Sequence, residues 1–155
     1  MASPRPNLRL NEKGTTHRPS TWRPRTGVQV VGDLYDGAFG RTLAIELRSV
    51  EAVRWLRAVL LEVAENGEAI DLARLQPVWL AGVSQLELRL AKKPPTKHLR
   101  LAGDDALVWT CTSEEWHTVA DLIDALSVGR GFQYLTEEGY DDVLVEVSLG
   151  QAHRT

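Results

Sequence analysis

LVWTCTSEEWHTVADLIDAL, residues 107–126, changes its hydrophobic period in mid-stretch. Leu107, Trp109 and Cys111 alternate with Val108 and Thr110, the period of a strand with one buried face. From Trp116 the apolar residues recur at three and four, as Trp116, Val119, Ala120, Ile123 and Leu126, which is one stripe of a helix. Thr112 followed by Glu115 fits the capping box, in which each side chain satisfies a free backbone donor at the helix start. A strand runs directly into a capped helix, predicted over about 113–126, and the fold class is α+β.

Upstream of this junction, the Gly103-Asp104-Asp105 turn precedes it, Leu99 and Leu101 suggest a strand, and Leu86, Leu88 and Leu90 alternate with Glu87 and Arg89. Lys92, Lys93, Pro94 and Pro95 mark the intervening turn, so three consecutive antiparallel strands are expected as a meander. Residues 70–81 are apolar around Pro77 without a clean period, and read as an irregular segment closing one edge of the core. Ser49 is the expected N-cap for a helix over about 50–65, in which Val53, Leu56, Leu60 and Val63 form the inner stripe and Asn66 and Gly67 stop the pattern. Residues 28–35 and the alternating Leu43, Ile45 and Leu47 predict a hairpin across residues 36–41. Downstream, Gly129 and Gly131 break the second helix, and residues 132–135 and 143–149 predict a final hairpin. The expected architecture is a single mixed or mainly antiparallel sheet of about six or seven strands with two helices packed on one face.

The chain of 155 residues suits one domain, expected over residues 28–150. Residues 1–27 carry Pro4, Pro6, Pro19 and Pro24 and six bases against Glu12, and read as a flexible basic tail; residues 151–155 form a C-terminal tail. With one cysteine there is no internal disulfide. No apolar run approaches the length of a membrane helix, roughly 18 residues. A cytoplasmic protein without membrane contact is expected.

Charge is unevenly placed. Residues 101–150 hold eleven acids against one base, Arg130, a local net charge of −10, while the rest carries 17 bases against 10 acids. Such a field attracts cationic partners and repels nucleic acid, which is expected as a partner only through the tail. On the second helix Glu114, His117, Asp121 and Asp124 fall on the face opposite the apolar stripe. Glu137, Glu138, Asp141 and Asp142 cluster at the tip of the last hairpin. Trp55, flanked by Arg54 and Arg57 at the edge of the first helix, is a secondary interface candidate.

The sequence offers little for catalysis or cofactors. His117 and Asp121 stand at i, i+4 with Glu114 one turn earlier, the one grouping that a small hydrolase or ligand-binding domain could use. His17, His98, His117 and His153 are scattered, Cys111 stands alone on an inward face, and no metal site is expected. Gly37, Gly40, Gly129 and Gly131 do not link a strand to a helix as a phosphate loop requires. The acidic hairpin lacks the alternating ligands of a calcium loop. No cofactor and no catalytic residue are expected.

The wording of three segments carries a resemblance: Val108-Trp109-Thr110-Cys111-Thr112-Ser113-Glu114-Glu115-Trp116, Gly131-Phe132-Gln133-Tyr134-Leu135-Thr136, and Asp141-Asp142-Val143-Leu144-Val145-Glu146-Val147-Ser148. Over roughly residues 42–150 the chain resembles small, largely uncharacterised bacterial proteins found beside polymorphic toxins as immunity proteins. Phe132 stands where that pattern leads one to expect His, so a polar role at that position does not carry over. The resemblance implies stoichiometric blocking of a partner without catalysis. The expected function is a non-enzymatic protein-binding domain that neutralises a basic toxin domain through Glu114, Asp121, Asp124, Glu137, Glu138, Asp141 and Asp142. The alternatives are a hydrolase or ligand-binding domain centred on His117, and a regulatory or scaffold module using the basic tail.

Overall fold

A computed structural model describes residues 28–128, 131–136 and 140–150. The two tails assigned from the sequence, and with them Glu137 and Glu138, lie outside the described residues. Strands β1 (Val30–Gly37) and β2 (Gly40–Leu47) form the first expected hairpin, in register from Val30 opposite Leu47 to Gly37 opposite Gly40. Helix α1 (Val50–Asn66) starts where the Ser49 hydroxyl accepts from the Ala52 amide at 3.1 Å, satisfying one of the free donors of the first turn. It stops at Gly67, whose φ of 74° lets its N–H return to the Val63 carbonyl at 3.1 Å. That left-handed conformation is the usual glycine termination of a helix.

Residues 70–81, expected to be irregular, are instead β3 (Ile70–Asp71), a 3-10 turn (Leu72–Arg74) and β4 (Val78–Ala81). Val78, Trp79 and Leu80 are all buried, so the alternation that announces a strand is missing. β4 lies parallel to β1, which puts Gly32 between β2 and β4. A Cβ there would stand 2.7 Å from both the Ala44 carbonyl oxygen and Leu80 Cδ2. Real contacts do not come so close, and only glycine fits this approach of three strands.

The expected meander is also corrected. β5 (Gln85–Ala91) pairs in parallel with β7 (Ala106–Thr112), and β6 (Leu99–Leu101) lies antiparallel on the far side of β7. The short turn after Leu101 enforces a hairpin between β6 and β7. The longer link through Pro94 and Pro95 carries no such constraint and leads the chain past β7 to the outer edge. Helix α2 (Ser113–Asp124) then begins at the predicted capping box: Glu115 Oε1 accepts from the Thr112 amide at 2.9 Å, and Thr112 Oγ1 from the Glu115 amide at 3.2 Å. A 3-10 turn (Ala125–Ser127) follows, then β8 (Phe132–Tyr134) and β9 (Leu144–Leu149) in the expected antiparallel hairpin.

The strands divide into two sheets, ordered β4-β1-β2-β9-β8 and β3-β5-β7-β6, rather than forming one. The nine strands of the described residues, about 4.8 Å apart, would span about 40 Å in one sheet, whereas their two α-helices, about 10 Å wide, cover only half of that. Splitting the strands lets both apolar sets reach one core: Leu43, Ile45, Leu47, Val145 and Val147 from the first sheet, Leu86, Leu88, Leu107 and Trp109 from the second, and the inner stripes of both helices. α1 and α2 pack on each other, and α1 also touches β2 and β5, one strand from each sheet. Trp116 is fully buried, donates through Nε1 to the Arg89 carbonyl at 2.9 Å, and stacks at a tilt on Trp109 with centroids 5.2 Å apart. Its indole N–H thus keeps a partner while the ring fills the core. No helix among the described residues is long and apolar enough to cross a membrane.

Candidate functional site

The β6–β7 register sets Leu99 opposite Trp109, so His98, one residue earlier, stands level with Thr110 and receives the Thr110 N–H on its carbonyl at 2.7 Å. Cys111 follows on β7, and the capping box turns Glu115 back toward the strand end. Three elements thus bring His98, Cys111 and Glu115 together, with their ligand atoms all within 4.8 Å of one another. His98 Nε2 and Glu115 Oε2 are 2.6 Å apart, while Glu115 Oε1 stays on the Thr112 amide. A cleft of about 220 Å³ opens over this group, walled by Trp109, Val119, Leu122, Leu135 and Thr136, with Asp141 at its margin. Among the described residues, neither Lys nor Arg lines it.

Electrostatics follow from these contacts. Burial pushes the Cys111 thiol well above its ordinary pKa, the charges of Glu115 and Asp141 push the same way, and the Trp109 indole opposes them weakly. Each of these disfavours or favours the thiolate in the ordinary way of buried and charged surroundings. Cys111 is therefore a protonated thiol at neutral pH and not a ready nucleophile. Burial would raise the Glu115 carboxyl, but the Thr112 amide and His98 outweigh it and hold the group below its usual range.

The acids at the end of the last hairpin turn back into the fold. Asp141 Oδ1 accepts from the His98 amide at 2.7 Å and the Leu99 amide at 3.0 Å. Asp142 Oδ2 accepts from the Leu101 amide at 3.1 Å, its Oδ1 meets Lys97 Nζ at 2.7 Å, and its own N–H reaches the Leu99 carbonyl at 3.0 Å. β6 is the edge of its sheet, and these carboxylates occupy the open backbone donors that such an edge presents. The Lys97 ammonium first, then the Leu101 amide, hold Asp142 below the ordinary carboxylate range against its partial burial.

On α2, Glu114, Asp121 and Asp124 are exposed as the helical period required, and the helix carries no Lys or Arg. His117 is exposed too, with Nδ1 on the Ser113 carbonyl at 2.8 Å, bound to its own helix and outside the cleft. The histidine at this cleft is His98, not His117. Trp55 is half-buried against the core. Sequence pattern alone left Cys111 standing by itself and did not join it to His98 and Glu115. The signal was present: counting the hairpin back from residues 102–105 levels His98 with Thr110, and Glu115 at the third helical position must face its cap.

Set against known protein families, characterised proteins and solved structures, the chain finds no significant match.

Proposed function

We propose that this domain is a non-catalytic protein-binding module of the immunity-protein kind, acting in the cytoplasm to neutralise a basic toxin domain by covering it. The observation that carries this reading is the outer face of α2, where Glu114, Asp121 and Asp124 stand exposed along a helix without a base of its own. Spacings of seven and ten place Asp121 and Asp124 on the same side as Glu114. Clustered anionic groups of this kind speed the capture of a cationic partner and make that capture salt-sensitive. The sequence resemblance over residues 42–150 supports the same class. Glu137 and Glu138, outside the described residues, enter this proposal from the sequence alone, whereas Asp141 and Asp142 hold β6.

The test is to read the genes on either side for a basic toxin domain, co-express any such domain with this chain, and measure association kinetics between the two purified proteins. Protection is expected, with an association rate that falls at least about tenfold from low to high salt. Glu114→Lys, Asp121→Lys and Asp124→Lys combined should abolish protection in a chain that still folds. Protection that survives this charge reversal, or association indifferent to salt, would refute the proposal.

A further inference from the structure

The proposed partner surface leaves the cleft at the base of α2 without a role. We propose that His98, Cys111 and Glu115 bind a single divalent cation of the borderline-soft class, zinc by its chemistry, and so tie β6, β7 and the start of α2 together. The site is independent of the partner reading.

An imidazole just before β6, a thiol on β7 and a carboxylate in the first turn of α2 have their ligand atoms within 4.8 Å of one another. Mixed N, S and O donors suit zinc or cobalt rather than magnesium or calcium, which take oxygen ligands. Around a tetrahedral zinc, with metal–ligand distances of roughly 2.0–2.3 Å, ligand atoms stand about 3.3–3.8 Å apart. His98 Nε2 and Glu115 Oε2 are 2.6 Å apart. They need to open by only about 1 Å for the ion to take the place of the proton between them. The Cys111 thiol gives up its own proton to solvent as the ion binds.

Glu115 is held by its other oxygen on the Thr112 amide, which leaves Oε2 for the metal, and the backbone that carries His98 is fixed by Asp141. Ligands oriented in this way by a second layer of hydrogen bonds are the usual companions of a metal site. Charge does not oppose this: the described wall of the cleft has two carboxylates and neither Lys nor Arg, and its one basic group, His98, is itself a ligand in its neutral form. The cleft also provides an entry path and room for water as a fourth ligand.

The decisive probe is cobalt(II) added to the reduced, metal-free full chain, followed by zinc. Because Cys111 is the sole cysteine, a thiolate-to-cobalt charge-transfer band can arise at no other residue. One equivalent of cobalt should produce that band with the intense visible absorption of four-coordination, and zinc should displace it and raise the melting temperature. Cys111→Ser should abolish the band. Glu115→Gln, which keeps a capping-box residue at the helix start, and His98→Gln should each weaken zinc binding at least about tenfold, whereas His117→Gln leaves it unchanged. A folded chain that shows no band at millimolar cobalt, or zinc affinity unaltered by Cys111→Ser, would overturn the site.

Discussion

Two groups of carboxylates, close in sequence and alike in charge, are put to opposite uses in this molecule. Asp141 and Asp142 commit their oxygens to the backbone of β6 and to Lys97, whereas Glu114, Asp121 and Asp124 point from α2 into solvent. A count of charge treats the groups as one anionic surface. What separates them is the donor facing each oxygen: two backbone N–H groups of an edge strand and that of His98 just before it in the first case, water in the second. The first group is therefore part of the fold, and the second is available to a partner.

The sharpest way to break this contrast is Asp141→Ala, which strips two backbone donors of their acceptor at once. Hydrogen bonds to a charged group are worth about 1.5–3 kcal/mol each, and partial access of water reduces the loss, so a destabilisation of about 2–4 kcal/mol is expected by urea denaturation. An effect below about 0.5 kcal/mol would return Asp141 to the surface group. Glu115 supplies the next step, because its cap can be separated from its charge. Glu115→Ala should cost about 1–2 kcal/mol through the lost capping box. Glu115→Gln should cost much less, since an amide oxygen still accepts the Thr112 N–H. Equal losses for the two variants would mean that the contact with His98, rather than the cap, dominates.

Both helices and both terminal hairpins were legible in the sequence because their signals are local. Ser49, Gly67, Thr112 and Glu115 fix helix ends within a few residues, and a hairpin needs only its turn and two alternating flanks. The pairing of β5 with β7 was not, since alternation says which face is buried but not which strand lies alongside. β6 intervenes between them in the chain without intervening in the sheet. β4 escaped because Val78, Trp79 and Leu80 are all buried, leaving no polar face to betray the period. The site was divided along the same line. The exposure of Glu114, Asp121 and Asp124 followed from helical period alone, whereas the convergence of His98 on Cys111 and Glu115 required the β6–β7 register. The role of Asp141 required knowing that β6 is an edge.

A pH titration refines the contrast further. Lys97 and the Leu101 amide favour the ionised form of Asp142 in the folded chain, so its folded pKa lies below the roughly 3.9 of an unfolded aspartate. The sign follows from linkage: this stabilisation is fully present above about pH 4 and is lost as pH falls through the folded pKa. Asp142→Asn should therefore lower stability by under about 1 kcal/mol at neutral pH and flatten the acid limb of the stability profile. An unchanged acid limb would show that the pair with Lys97 does not persist in solution.

The surface group is expected to give the smallest effect, and one of opposite sign. Asp121 and Asp124 sit in the last turn of α2, and that turn holds no base to offset them. Beside the negative end of the helix dipole their charge opposes the helix by a few tenths of a kcal/mol, whereas Glu114 in the first turn favours it. Asp121→Asn and Asp124→Asn should consequently leave stability unchanged or raise it by about 0.3–1 kcal/mol at low ionic strength, with the gain fading as salt is added. A loss instead would mean that these acids hold the fold as Asp141 does, and the division between the two groups would fail. A gain sharpens it, because acids that oppose their own helix contribute nothing to folding, and an incoming cationic surface is the surrounding in which the same two charges become favourable.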